Sequence, residues 1–170
     1  MNPILVLCLG NEVLCDDALG FFASQRLCAE LPADDTTDIV YSSIAGFSLL
    51  DLLNERKRVL IVDVIQTGGT PGTIHFFPAG NLTPSQQLIN SHQISLPTAL
   101  ALGRQFGLAL PETVDVIAVE AQDVETLSET MTSPVARALD EAVARIKQWI
   151  FDTRGELNTH VTRKQTATVA

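Results

Sequence analysis

Basic residues are scarce in this chain. Lys and Arg number 11 against 20 Asp and Glu, a formal net charge of −9 at pH 7. Nucleic acids and anionic membranes both demand clustered cations, so this balance argues against either as a partner. It suits a partner that is neutral, cationic or locally basic. Cysteine is scarce too. Cys8, Cys15 and Cys28 are odd in number, irregular in spacing and lack a Cys-x-x-Cys pair. That pattern speaks against a disulfide framework or a zinc knuckle. The first apolar run, Ile4 to Leu9, is short and has no basic region before it. It is too short for a signal peptide or a membrane span, so the expected location is the cytoplasm. Gly-x-Ser-x-Gly, His-Glu-x-x-His and the Lys-Ser/Thr of a phosphate-binding loop are all missing. Serine-triad, zincin and nucleotide-binding readings therefore have little to stand on.

What is present is a globular composition: 170 residues, 46% of them apolar and 18% charged. That length suits one domain with a proper core. Ile4 to Leu9 is nearly continuous in apolar residues, as in a strand buried on both faces. Leu19, Ala23, Leu27 and Leu31 recur every four residues and mark an amphipathic helix that stops at Pro32. Ile39 to Ile44 reads as a second strand, and Ala45 to Asn54 as a second helix. Val59 to Val62 is a third strand, ending on Asp63. A turn through Gly68-Gly69-Thr70-Pro71-Gly72 leads to an edge strand, Thr73 to Phe77, in which His75 is given no role. Pro78 to Ser91 is a long polar loop closing on Ser91-His92-Gln93. Ser95-Leu96-Pro97 opens a helix to about Phe106. Val114 to Val119 is the fifth strand, and Ser133-Pro134 starts a last helix with Val135, Leu139, Val143, Ile146 and Ile150 on one face.

Buried strands alternating with helices predict an α/β fold, a three-layer αβα sandwich around a mostly parallel sheet of about five strands. Thr73 to Phe77 is expected to run antiparallel. The domain is expected to span 1–151, and the Thr-rich, aperiodic stretch 152–170 to be a disordered tail.

In such a sheet, ligands collect outside the carboxyl ends of the parallel strands. The loop Gly10 to Asp17 follows the first strand, and Asp63 ends the third. Its two adjacent acids, Asp16 and Asp17, admit two readings: they cap the next helix, or they belong to an active site. Asp17, Asp63 and His92 have residue types that together suit a divalent transition metal with positions left open for substrate.

Gly10-Asn11-x4-Asp16-Asp17-x2-Gly20, a strand ending in Asp63, Pro71-Gly72-Thr73 and Ser91-His92-Gln93 together resemble the hydrogenase maturation endopeptidases. The similarity runs in order from Ile4 to Ile150. It implies a cytoplasmic, monomeric protease, free of tightly bound metal as isolated, whose partner is the precursor of a nickel–iron hydrogenase large subunit. Such an enzyme removes the precursor's C-terminal extension after nickel insertion, and the nickel supplied by the precursor is the recognition mark. The resemblance implies Asp17, Asp63 and His92 as nickel ligands and catalytic residues, with Asp16 in an orienting or capping role. Many members carry a Gly-Gly-Thr-like segment after the second strand, associated with substrate choice. Here Tyr41-Ser42-Ser43-Ile44-Ala45-Gly46 keeps a glycine only at its end.

Hydrolysis by such a site uses either metal polarisation of the carbonyl or a water activated by Asp16 or Asp17. Two other readings stand beside it. One is a cysteine hydrolase using Cys15 with His92, which the neighbouring carboxylates oppose by raising the thiol pKa. The other is a nickel-sensing chaperone that leaves the precursor uncut.

Overall fold

The computed structural model describes residues 2–44, 46–82 and 96–167, with the main chain alone at 158 and 160–167. Five strands, β1 (Ile4–Leu9), β2 (Thr37–Ser42), β3 (Arg58–Ile65), β4 (Ile74–Pro78) and β5 (Thr113–Glu120), form one sheet in the order β2-β1-β3-β5-β4. β1 lies parallel to β2 and β3, and β3 parallel to β5; only β4 runs antiparallel, along the outer edge of β5.

Alternation of side chains along the strands builds the two other layers. Ile4, Val6 and Cys8 of β1 and Leu60, Val62 and Val64 of β3 meet α1 (Leu19–Glu30) and α4 (Ser133–Ala167). Leu5, Leu7 and Leu9 of β1 and Val59, Ile61 and Ile65 of β3 face the opposite way, onto α2 (Leu49–Leu53) and α3 (Leu96–Gln105). Both faces of β1 are thus covered, which is why its sequence is apolar at every position. The fold is the α/β sandwich expected, with a five-stranded, mostly parallel sheet.

Three boundaries differ from the sequence reading. Asp63 does not end β3: Val64 and Ile65 continue it, paired with Val119 and Glu120 of β5. The second helix is shorter than expected, a 3-10 turn at Gly46–Ser48 followed by α2. The last helix does not stop at Phe151, and the tail expected from residue 152 is helical to Ala167. Thr153 is buried, and Arg154 donates to the Thr37 hydroxyl at 3.0 and 3.1 Å and pairs with Asp34. Glu156 meets Arg58 at 2.5 Å. These anchors are polar, and Leu157 adds an apolar contact with the same core as Ile146 and Ile150.

The amino ends of the strands are secured by charge. Arg56 donates to the Asn2 carbonyl at 2.6 Å and pairs with Asp38, while Trp149 donates its indole N–H to Asp115 at 2.9 Å. The carboxyl ends are organised differently. From β1 the chain passes to β2 on one side, then crosses to β3 on the other. That reversal makes the carboxyl ends of β1 and β3 the topological switch point, the place where α/β proteins form a crevice for their ligands.

Candidate active site

Two glycines shape the loop that leaves β1. A Cβ on Gly10, whose φ is +150°, would lie 2.1 Å from the Asp17 carbonyl oxygen; one on Gly20 would lie 1.9 Å from that of Leu9. Backbone therefore packs on backbone where the strand ends and α1 begins. The Asn11 N–H donates to the Asp17 carbonyl at 3.2 Å and closes the loop. Cys15–Ala18 forms a 3-10 turn packed against β3.

That turn brings Asp17 over the end of β1, only 2% exposed. Asp63 is fully buried on the adjacent strand, two residues short of its end, in phase with Val59, Ile61 and Ile65 on the α2/α3 face. Its Oδ1 accepts the Val64 N–H at 2.7 Å. Carboxylates withdrawn from water to this degree need hydrogen-bond donors or a cation. Asp17, in the turn that follows β1, and Asp63, on β3, thus both lie toward the carboxyl ends of neighbouring strands. His92 lies outside the described residues. Among the described residues, no three His, Cys, Asp or Glu side chains gather as a metal-ligand group.

Asp16 has a different part. Its side chain does not cap α1; the helix has no side-chain cap. Instead Oδ2 accepts the N–H groups of Gln122 and Asp123 at 2.8 and 2.9 Å, and Oδ1 accepts the Thr132 N–H at 2.7 Å. The Thr132 hydroxyl adds a further bond at 2.9 Å. The carboxylate is fully buried and ties the loop after β1 to the segment between β5 and α4. Of the two roles considered, helix capping is not seen, and the carboxylate bonds to the β5–α4 segment instead. The physical reason is that the β5–α4 segment offers convergent N–H donors that outcompete the helix end.

Cys15 is buried, with its thiol 3.6 Å from the Thr130 carbonyl. Burial raises its pKa, and the charges of Asp16 and Asp123 raise it further. A nucleophilic thiolate needs the opposite surroundings, so this environment disfavours the cysteine-hydrolase reading.

Further groups belong to the same rim. Tyr41, at the end of β2, donates its hydroxyl to the Gly10 carbonyl at 3.2 Å. Its pKa is raised by burial, then by the charges of Glu12 and Asp17. Glu120, buried at the end of β5, accepts the Thr67 N–H at 2.7 Å, the Thr67 hydroxyl at 2.8 Å and the Gly69 N–H at 3.0 Å. His75 sits 3.4 Å from the same carboxylate. Neither Tyr41 nor Glu120 was legible as a rim residue, because their partners, mostly main-chain atoms, are distant in sequence.

The chain is 25% identical over 150 residues to the hydrogenase 2 maturation protease of Escherichia coli K12, covering 85% of this chain and 91% of that protein. It is 25% identical over 152 residues to the hydrogenase expression/formation protein HupD of Rhizobium leguminosarum bv. viciae, covering 86% and 75% respectively. In fold it resembles the hydrogenase maturating endopeptidase HybD from E. coli, with a TM-score of 0.77 at 24% identity, over 90% of this chain and 94% of the other. The model of the hydrogenase maturation protease family matches residues 25–149, and the chain belongs to that family of peptide-bond hydrolases.

Proposed function

We propose that this protease removes the C-terminal extension of a nickel–iron hydrogenase large-subunit precursor, and that it recognises nickel already seated there. Asp17 and Asp63 supply two oxygen ligands, and His92 supplies an imidazole nitrogen. Carboxylate and imidazole donors suit a divalent transition metal, and three ligands leave positions for groups of the precursor. Nickel is cargo of the substrate in this scheme, not a resident cofactor of the protease. Engaging it places the scissile peptide over the crevice. Water then adds to the carbonyl carbon, the C–N bond breaks, and the released amine takes up a proton.

The observation that carries this reading is the burial of Asp17 and Asp63 together at the switch-point crevice. Electrostatics supports it as well: the rim is acidic, and an acidic crevice attracts a cation.

The test is a comparison of two substrates. Nickel-loaded and nickel-free precursor are incubated with the protease, and the liberated peptide is followed by mass spectrometry. Cleavage of the loaded form alone is expected. Equal cleavage of both removes nickel recognition, and no cleavage of either removes the activity.

A further inference from the structure

The loop carrying the candidate ligand Asp17 does not stand alone. It is zipped to the segment after β5 by three main-chain bonds. Ser128 N–H donates to Val13 at 3.1 Å, Cys15 N–H to Thr126 at 3.0 Å and Asp16 N–H to Asp123 at 2.9 Å. Leu14 and Leu127 form an isolated antiparallel bridge between them. With the Asp16 carboxylate bonded to the same segment, the result is a short ribbon of two cross-linked loop segments beside the site.

This ribbon exposes large apolar side chains. Val13 is 51% exposed and Leu127 76%. Single surface hydrophobics are ordinary. Here two of them ride on adjacent backbones joined by main-chain hydrogen bonds, Val13 a few residues from Asp17. Apolar side chains held out to solvent on a braced backbone are what a preorganised contact surface needs. The surrounding charge is of one sign. Glu12, Glu125 and Glu129 are exposed on the ribbon, and neither 9–20 nor 120–133 contains a Lys or Arg.

We propose that this ribbon is the docking surface for the protein substrate, gripping an apolar patch flanked by lysine or arginine on the large-subunit precursor. This inference rests on the reading of the chain as a precursor-processing protease. Charge selects the occupant. A second copy would oppose the same glutamates and the same net charge of −9, whereas a basic surface is attracted. Continuity selects it too, since a partner held at Val13 and Leu127 lies next to the crevice that must receive its peptide.

The test uses the full-length protease and nickel-loaded precursor in steady-state cleavage. The double variants are Val13→Ser with Leu127→Ser, and Glu125→Gln with Glu129→Gln. All four side chains are exposed, so folding is expected to be unchanged by circular dichroism. The apolar pair is expected to raise KM about tenfold, with kcat within about twofold of wild type. The glutamine pair is expected to raise KM at low salt and flatten the rise of KM with ionic strength. Unchanged KM in both variants overturns the proposal. So does loss of a concentration-dependent dimer on ultracentrifugation of the apolar variant, which would make the ribbon a self-contact. The nickel reading is tested separately: equal cutting of nickel-free precursor refutes it while leaving the KM comparison readable.

Discussion

Asp16 and Thr132, 116 residues apart in the chain, are joined through both the main-chain N–H and the hydroxyl of the threonine. Because the same carboxylate also takes the N–H groups of Gln122 and Asp123, one side chain serves as acceptor for a whole loop. The residue beside it, Asp17, inherits a fixed main-chain position.

Replacing Asp16 should therefore cost stability first. Asp16→Ala strands three buried or part-buried N–H donors, at a cost of about 3 kcal/mol or more. Urea unfolding followed by circular dichroism should show a lower midpoint. A midpoint equal to wild type would contradict the bracing role.

Asp17→Asn and Asp63→Asn should behave in the opposite manner. Each removes a buried charge without changing volume, so stability should fall by no more than about 1 kcal/mol. Cleavage of nickel-loaded precursor should nevertheless drop by about 10²-fold or more, as expected when a group acting on the reacting centre is lost. Activity within a few-fold of wild type in both variants would exclude these residues from the chemistry.

The thiols should separate cleanly by reactivity. Cys28 is exposed, whereas Cys8 and Cys15 are buried with raised pKa values, Cys15 through burial and two nearby carboxylates. A raised pKa leaves less thiolate at pH 8 than a free thiol would have. One thiol should react quickly with a disulfide reagent at that pH, and the other two only on unfolding. Cys15→Ser should retain cleavage; its loss would revive a thiol nucleophile.

Gly10→Ala sets a Cβ 2.1 Å from the carbonyl oxygen of Asp17. Neither atom belongs to a flexible side chain, so the loop must shift. Destabilisation of about 2 kcal/mol or more is expected, together with reduced cleavage. Thermal unfolding of the variant reads the first effect, and the precursor assay the second.

Acid should expose the work of Glu120. Burial alone would raise its pKa, but hydrogen bonds from Thr67 and Gly69 outweigh it and hold the carboxyl below its ordinary 4.5. A lowered folded pKa means stabilisation that is present above the unfolded value and lost as pH falls through the folded one. Stability of the wild type should therefore decline over that acidic interval more steeply than stability of Glu120→Gln. Parallel acid-unfolding curves would contradict it.

Apolar pattern was enough to place the layers. Continuous burial in Ile4–Leu9 and fourfold spacing from Leu19 are local signals, and a sheet covered on both faces is their direct physical consequence. The order of strands and helices implied one rim for Asp17 and Asp63, since ligands gather beyond the carboxyl ends of parallel strands. His92 was a reading of sequence and lies outside the described residues. Tertiary structure decided what depends on convergence of distant backbone. The acceptor role of Asp16, the bonds of Tyr41 and Glu120, and the ribbon of Val13 and Leu127 all use main-chain donors or acceptors, which every residue type carries alike. The helical course of 152–157 belongs with them in part, since Arg154 and Glu156 are held by Thr37, Asp34 and Arg58 near the amino ends of β2 and β3, while Leu157 continues the apolar face of α4. Sequence specifies which faces must be hidden from water; only the folded chain determines which polar groups then meet.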